Sequence, residues 1–229
     1  MGETLMTAHR MPESGFLSNA SADLKKMLAN LATEISLAPG EVLFEQGDEG
    51  DALYAIITGA VEFSVLALDG RKLTLDVMRP GALFGEITLF EPGGRTATAT
   101  ATEATLLWRV RHPDVLAQIR QRPDLAVDMI HLAGQRMRWM GRQLNEQVFL
   151  PLPTRLARKV QHLAPDGAQP PCKLELSQAE LAEFVGATRE AVSKILSSWK
   201  RDGVIQSTRG GLVILDWNAL SLLAEPDQI

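Results

Sequence analysis

The stretch Phe84-Gly85-Glu86-Ile87-Thr88-Leu89 is followed, across a Gly/Pro turn, by Arg95-Thr96-Ala97-Thr98. A carboxylate and a guanidinium so placed form an economical cradle for a small anionic sugar phosphate. Arg95 can fork onto phosphate oxygens. Glu86 can accept a hydrogen bond from a ribose hydroxyl, and Gly85 lets the backbone approach closely. The run from Thr96 to Thr102 alternates with period two and predicts a strand. That strand would hold Arg95 rigidly.

A second set of residues points to another chemistry. Ser177-Gln178-Ala179-Glu180 carries the pattern of a capping box, in which Ser177 and Glu180 satisfy each other's backbone donors. Leu181 and Val185 supply a buried face, and Gly186 fits a left-handed helix end. Thr188 then caps a helix over Arg189-Glu190-Ala191-Val192-Ser193-Lys194-Ile195-Leu196. Two short helices about a tight turn form a helix-turn-helix, whose second helix commonly enters the major groove. Arg189, Glu190, Ser193 and Lys194 share one helical stripe, while Val192, Ile195 and Leu196 fall on the other side. Arg and Lys donate to guanine, and Glu accepts from the amino group of cytosine. Trp199, Val204 and Ile205 would close the core beneath, and Gln206 to Ile214, turning at Gly210-Gly211, reads as a hairpin wing.

The elements that must position these groups follow from periodicity. From about 40 to 110, turn signals recur at Pro39-Gly40, Gly47-Asp48, Gly59, Asp69-Gly70, Pro80-Gly81 and Pro92-Gly93-Gly94. Apolar runs at 42–44, 52–57, 61–65 and 74–77 lie between them, which predicts an antiparallel roll or barrel. Ala22 to Ser36 has helical spacing at Leu24, Met27, Leu28 and Leu31. Pro113 and Pro123 suit helix starts. Beyond them Ala126, Ile130, Ala133, Met137, Met140, Leu144 and Gln147 follow alternating steps of four and three, a heptad seam that predicts a homodimer. Phe149-Leu150-Pro151-Leu152-Pro153 should end that helix. A further amphipathic helix shows Leu156, Val160 and Leu163 on one face, before a loop at 164–171.

Composition narrows the function classes. The 229 residues suffice for two modest domains, and 45% hydrophobic content is that of a globular chain. No apolar run reaches the roughly 18 residues that span a bilayer. The N-terminus lacks the apolar core of a signal peptide, so a cytoplasmic location is expected. A single cysteine, Cys172, in a Pro-rich loop, excludes an intrachain disulfide and a four-cysteine cluster. The histidines His9, His112, His131 and His162 show no metal-ligand spacing and read as surface or packing residues. The net charge of −5 resides in the first 149 residues, whereas residues 150–229 balance to zero. Arg189 to Arg209 contains five basic and two acidic residues, consistent with a local basic face.

Taken in this order, the residues resemble the CRP/FNR family of bacterial transcription regulators over nearly the whole chain. The resemblance implies an α+β chain with an N-terminal antiparallel β-roll over residues 1–123, a dimerisation helix over 124–149 and a winged helix-turn-helix over 150–229. Gly85-Glu86…Arg95-Thr96-Ala97 is similar to the family's phosphate-binding cassette. By that similarity Glu86 would bind the ribose 2′-hydroxyl and Arg95 the cyclic phosphate, with Thr96 and the backbone at Gly85 and Ile87 completing the site. Met140, Gly141 and Leu144 on the long helix would face the base. Gly47, Asp48 and Gly59 match the family's roll turns.

Arg189, Glu190 and Lys194 resemble the CRP-type reading triplet, while Ser193 is closer to the FNR-type pattern. The half-site is therefore expected to resemble TGTGA or TTGAT, with Gln178, Thr188 and Arg209 as further contacts to double-stranded DNA. Met140-Gly141 stands where the cAMP-responsive member carries a Thr-Ser pair, and Pro151 replaces a capping Asp at the hinge. The ligand order expected is cAMP, then cGMP, then cyclic dinucleotides, with no metal or covalent cofactor. Seam residues Ala126, Ile130, Ala133, Met137, Met140 and Leu144 would form the dimer, and RNA polymerase is a further expected partner. Two competing readings are a regulator that binds DNA without nucleotide and a nucleotide-gated regulatory subunit of an enzyme. The absence of any catalytic motif speaks against the second.

Overall fold

The computed structural model describes residues 20–68, 70–165 and 167–225. The N-terminal stretch considered above for targeting, His9, and Asp69 of one turn signal lie outside the described residues. The chain divides into two compact units, one holding residues up to 65 together with 76–137, the other holding 66–75 together with 138 onward.

In the first unit, helix α1 (Ala22–Leu31) starts at Ser21, whose hydroxyl accepts from the Leu24 N–H at 3.1 Å. It buries Leu24, Met27 and Leu28. The helical spacing read over Ala22 to Ser36 holds only as far as Leu31. Beyond it the β-branched Thr33 and Ile35 take up an edge strand, β1 (Thr33–Leu37). Strands β2 (Val42–Phe44), β3 (Ala52–Thr58), β4 (Val61–Leu66), β5 (Lys72–Met78) and β6 (Leu83–Phe84) follow, then the short helix α2 (Ile87–Phe90) and strands β7 (Thr98–Ala101) and β8 (Thr105–Arg111). They form two four-stranded sheets, ordered β1-β8-β3-β6 and β2-β7-β4-β5, in which β1–β8, β8–β3, β3–β6, β2–β7 and β7–β4 pair antiparallel.

The central strand β3 explains its own uninterrupted apolar run. Ala52, Tyr54 and Ile56 face Phe63, Phe84, Ala99 and Leu107 in the core enclosed by the roll. Leu53, Ala55 and Ile57 belong to a second core with α1, α3 (His112–Gln121) and α4 (Asp124–Phe149). A strand buried on both faces needs apolar residues at every position. Pro113 lies in the first turn of α3, where its missing N–H costs nothing.

Helix α4 runs 26 residues and carries two stripes rather than one. Leu125, Met129 and Leu132 are buried in its own roll. Of the seam residues, Ile130, Met137, Met140 and Leu144 are 65%, 68%, 50% and 64% exposed, and Ala126 and Ala133 are half-buried. The helix ends at Phe149, ahead of Pro151 and Pro153.

In the second unit, α5 (Leu152–Leu163) buries Leu156, Val160 and Leu163, as its spacing predicted. Two guanidinium groups of α5 hold the end of α4: Arg158 pairs with Glu146 at 2.7 Å, and Arg155 donates to Gln147. Then come β9 (Cys172–Leu174), α6 (Gln178–Val185), α7 (Arg189–Arg201), β10 (Ile205–Thr208), β11 (Gly211–Ile214) and α8 (Trp217–Ala224). Cys172 is not a loop residue. It is buried as the first residue of β9, which adds a third strand to the β10–β11 wing by pairing with β11. No helix among the described residues is long and apolar enough to cross a membrane.

Candidate functional site

Arg95 is placed by backbone before its side chain does anything. Its N–H donates to the Asp48 carbonyl at 2.7 Å, and its carbonyl accepts from the Gly47 N–H at 2.8 Å. The turn that supplies these partners is itself closed by Asp48, whose carboxylate accepts from the Glu45 N–H at 2.8 Å. Thr98 of β7 accepts from the Gln46 N–H. The side chain then turns inward and is only 5% exposed. One terminal nitrogen, Nη1, donates to the Gly85 carbonyl at 3.2 Å and to Thr88 Oγ1 at 3.3 Å. The other, Nη2, donates to the Ala52 carbonyl at 2.8 Å. The Phe44 ring lies 4.4 Å from the guanidinium carbon and the Tyr54 ring 5.6 Å, a cation–π arrangement. Burial draws its pKa below the usual arginine value, but a guanidinium stays charged in protein. Its Nε has no partner among the described residues.

Glu86 precedes α2 and is 3% exposed. A buried carboxylate requires a compensating charge, and Arg136 of α4 provides it. Arg136 Nε donates to Glu86 Oε1 at 3.0 Å and Nη2 to the Leu83 carbonyl at 2.7 Å. Gly85 adopts a φ of +81°, and a Cβ there would lie 2.7 Å from Arg95 Nη1 and 2.9 Å from the Ala52 carbonyl oxygen. Only glycine suits both the backbone and the space. The structure thus gathers Gly85, Glu86, Thr88 and Arg95 around one turn, with Ile87 and Thr96 exposed beside it. Met140, Gly141 and Leu144 are exposed on the part of α4 that belongs to the second unit.

One group of the cassette escaped the sequence reading. Arg136 continues the buried stripe Leu125, Met129, Leu132 at its next step, and a charge continuing an apolar stripe signals a buried partner. His112, read as a surface or packing residue, is 7% exposed, and its Nε2 has no partner among the described residues. Burial and the Arg95 charge both hold its pKa below the usual histidine value.

The second unit builds the helix-turn-helix as its capping residues require. The Ser177 hydroxyl accepts from the Glu180 N–H at 3.2 Å while Glu180 accepts from the Ser177 N–H at 2.7 Å. Gly186 ends α6 at a φ of +62°, and Thr188 accepts from the Ala191 N–H at 3.3 Å to start α7. Val192, Leu196 and Trp199 are buried. Arg189, Glu190 and Lys194 are exposed, with Ser193 half-buried. An open cavity of about 390 Å³ is lined by Gln178, Arg189, Glu190, Ser193, Lys194 and Ser197. A neighbouring one of about 200 Å³ joins Ser177, Gln178 and Arg189 to Ser207, Thr208 and Gly210 of the wing. Arg209 is exposed at the wing turn. Ser197, absent from the sequence-derived set, lies one turn beyond Ser193 and donates to its carbonyl at 2.8 Å.

Comparison with known proteins matches both units. Residues 34–122 match the cyclic nucleotide-binding domain family, and residues 154–223 match the Crp-like helix-turn-helix domain family. The chain is 30% identical over 212 residues to a CRP-like cAMP-activated global transcriptional regulator of Mycobacterium tuberculosis, covering 90% of this chain and 93% of that protein. It is 33% identical over 185 residues to the cyclic AMP receptor protein of Thermus thermophilus, covering 81% and 85% of the two chains. The solved structure of a CRP/FNR-family transcriptional regulator from the same organism superposes with a TM-score of 0.72 at 28% identity, over 84% of this chain and 98% of that one. With both domain models matched and relatives of this identity and coverage, the chain belongs to the CRP/FNR family of cyclic-nucleotide-binding transcription regulators.

Proposed function

We propose that the protein is a homodimeric, cytoplasmic regulator whose binding to a palindromic DNA site responds to a cyclic mononucleotide, with cAMP first and cGMP second. The observation that carries this reading is the pairing of a buried carboxylate and a buried guanidinium across a turn where only glycine fits. Arg95 presents a charge-assisted fork for the cyclic phosphate. Glu86 uses one oxygen for Arg136 and keeps acceptor capacity for the ribose 2′-hydroxyl. Gly85, Ile87 and Thr96 border the anion, and Met140, Gly141 and Leu144 are the candidates for the base end. The cAMP preference rests on the relatives, named as cAMP-activated regulators or cyclic AMP receptors. The exposed hydroxyl of Thr96 keeps cGMP close behind.

On the DNA side, Arg189, Glu190, Ser193 and Lys194 read base edges, with Gln178, Thr188 and Arg209 steadying the helix and wing. Two half-sites about one helical turn apart would match a dimer built on the exposed α4 seam. RNA polymerase is the further partner of such a regulator.

Titration calorimetry with cAMP and cGMP tests the reading directly. Binding by the wild-type chain is expected to disappear in Arg95→Leu, together with nucleotide-dependent DNA binding. Ligand-dependent DNA binding that survives this substitution would exclude the mechanism.

A further inference from the structure

The only tyrosine of the chain and three of its seven phenylalanines gather in the roll on the side of Arg95. Tyr54 of β3 and Phe84 of β6 stack with ring centroids 5.4 Å apart, and Phe63 of β4 meets Phe84 edge-on at 4.9 Å. Phe44, the last residue of β2, lies 5.9 Å from Tyr54 and 6.3 Å from Phe84. The cluster therefore joins strands of both sheets. Tyr54, Phe63 and Phe84 are buried, whereas Phe44 is half-buried. The Phe44 ring also lies closer to the guanidinium carbon of Arg95 than the Tyr54 ring does, at 4.4 Å against 5.6 Å.

What this ring does follows from how Arg95 spends its donors. A guanidinium carries five N–H groups in one plane. Nη1 gives two, to the Gly85 carbonyl and to Thr88 Oγ1, and Nη2 gives one to the Ala52 carbonyl. All three acceptors are uncharged. The Nε–H and a second Nη2–H have no partner among the described residues, and they are the donors left for an anion. A carboxylate in the place of Phe44 would grip the guanidinium by its edge, consume those donors and neutralise the charge that draws a phosphate in. An aromatic face holds the group by its flat side instead. The plane is then fixed while the charge and the two donors stay in use for a ligand.

We propose that Phe44 is a positioning residue for Arg95: its ring sets the plane of the guanidinium, so that the Nε–H and the second Nη2–H meet the cyclic phosphate as a fork. The inference rests on the nucleotide-binding reading above. The Gly85 and Ala52 carbonyls and Thr88 hold the Nη1 and Nη2 end, the Phe44 ring holds the tilt, and Tyr54 and Phe84 hold the ring. Directed, bidentate donation is what separates a guanidinium from a point charge. Loss of the ring should therefore damage discrimination between the phosphate oxygens, which charge attraction alone does not supply.

The test is calorimetry of the full-length protein with cAMP and with the two diastereomers of its phosphorothioate, in which sulfur replaces one or the other exocyclic phosphate oxygen. A guanidinium held in one plane distinguishes those oxygens, so the wild type should prefer one diastereomer. Phe44→Leu, which keeps apolar bulk without a π face, should bind cAMP about five- to thirtyfold more weakly and lose most of that preference. Phe44→Tyr, which keeps the ring, should stay within about twofold of wild type in both respects. Phe44→Met carries the same expectation as Phe44→Leu, so a Phe44→Leu chain that misfolds does not shelter the idea. A preference unchanged in Phe44→Leu or Phe44→Met would reduce the ring to packing. Equal binding of both diastereomers by the wild type would show that no plane is fixed. Either result overturns the positioning role and leaves the nucleotide site standing. Failure of the wild type to bind any cyclic nucleotide, or full binding by Arg95→Leu, removes the reading beneath it as well.

Discussion

At the residue scale, the cassette is held by groups that have no alternative. Gly85 is the clearest case, because alanine there meets both an unfavourable φ and the Ala52 carbonyl at 2.9 Å. Gly85→Ala should destabilise the roll by more than about 1 kcal/mol, read as a lower urea midpoint, and should weaken cAMP binding. An unchanged midpoint would mean that the turn relaxes freely. Glu86 and Arg95 were legible in sequence because their types, spacing and intervening glycine state a chemistry. The partner of Glu86 was not, since Arg136 is brought to the cassette by helix α4. His112 also carries a pH signature in stability. Its folded pKa lies below the ordinary histidine value, so the unfolded chain binds the proton more readily. Stability contributed by the neutral ring is complete at higher pH and is lost as pH falls through the usual histidine range toward the folded value. Thermal midpoints measured from pH 7.5 down to pH 5 should fall more steeply for wild type than for His112→Gln. Parallel curves would show that the ring titrates normally.

At the element scale, α4 shows what a periodicity reading can and cannot separate. One heptad seam was visible in the sequence. Two stripes exist on the helix. Leu132 is 2% exposed within the roll core, whereas Ile130, two positions earlier, is 65% exposed. Leu132→Ala should therefore cost about 2–5 kcal/mol of stability. Ile130→Glu should leave the roll folded and shift the mass in analytical ultracentrifugation from dimer to monomer. A dimeric Ile130→Glu chain would place the interface elsewhere. The missed elements share a physical reason. Strands β1 and β9 are short, and each follows a segment whose stronger local signal, helical spacing before one and a Pro-rich loop before the other, masks it. Tertiary pairing with β8 and β11 decides both. Helix α8 buries only Leu220 and Ala224, too sparse a stripe to read from sequence. By contrast α6 and α7 were legible because caps at Ser177, Gly186 and Thr188 fix their ends locally.

At the scale of the whole molecule, the charge distribution separates the two tasks. The overall net charge of −5 disfavours nonspecific attraction to DNA, so on the proposed reading affinity comes from the face of α7 and from the arrangement of two such faces in a dimer. A ligand at the cassette can alter that arrangement only by binding one state of the dimer better than the other. The coupling is then a free energy shared by the two sites, and it is reciprocal. If cAMP raises operator affinity by some factor, operator DNA must raise cAMP affinity by the same factor, expected at about 5–150-fold. Both arms can be measured on the same preparation, by fluorescence anisotropy of a labelled palindromic duplex with and without cAMP, and by calorimetry of cAMP with and without that duplex. Glu86→Gln should reduce the two factors together, because it weakens the ribose contact and leaves Arg136 without its carboxylate. A factor of one in both arms, with cAMP still bound, would identify a regulator that reads DNA independently of its nucleotide.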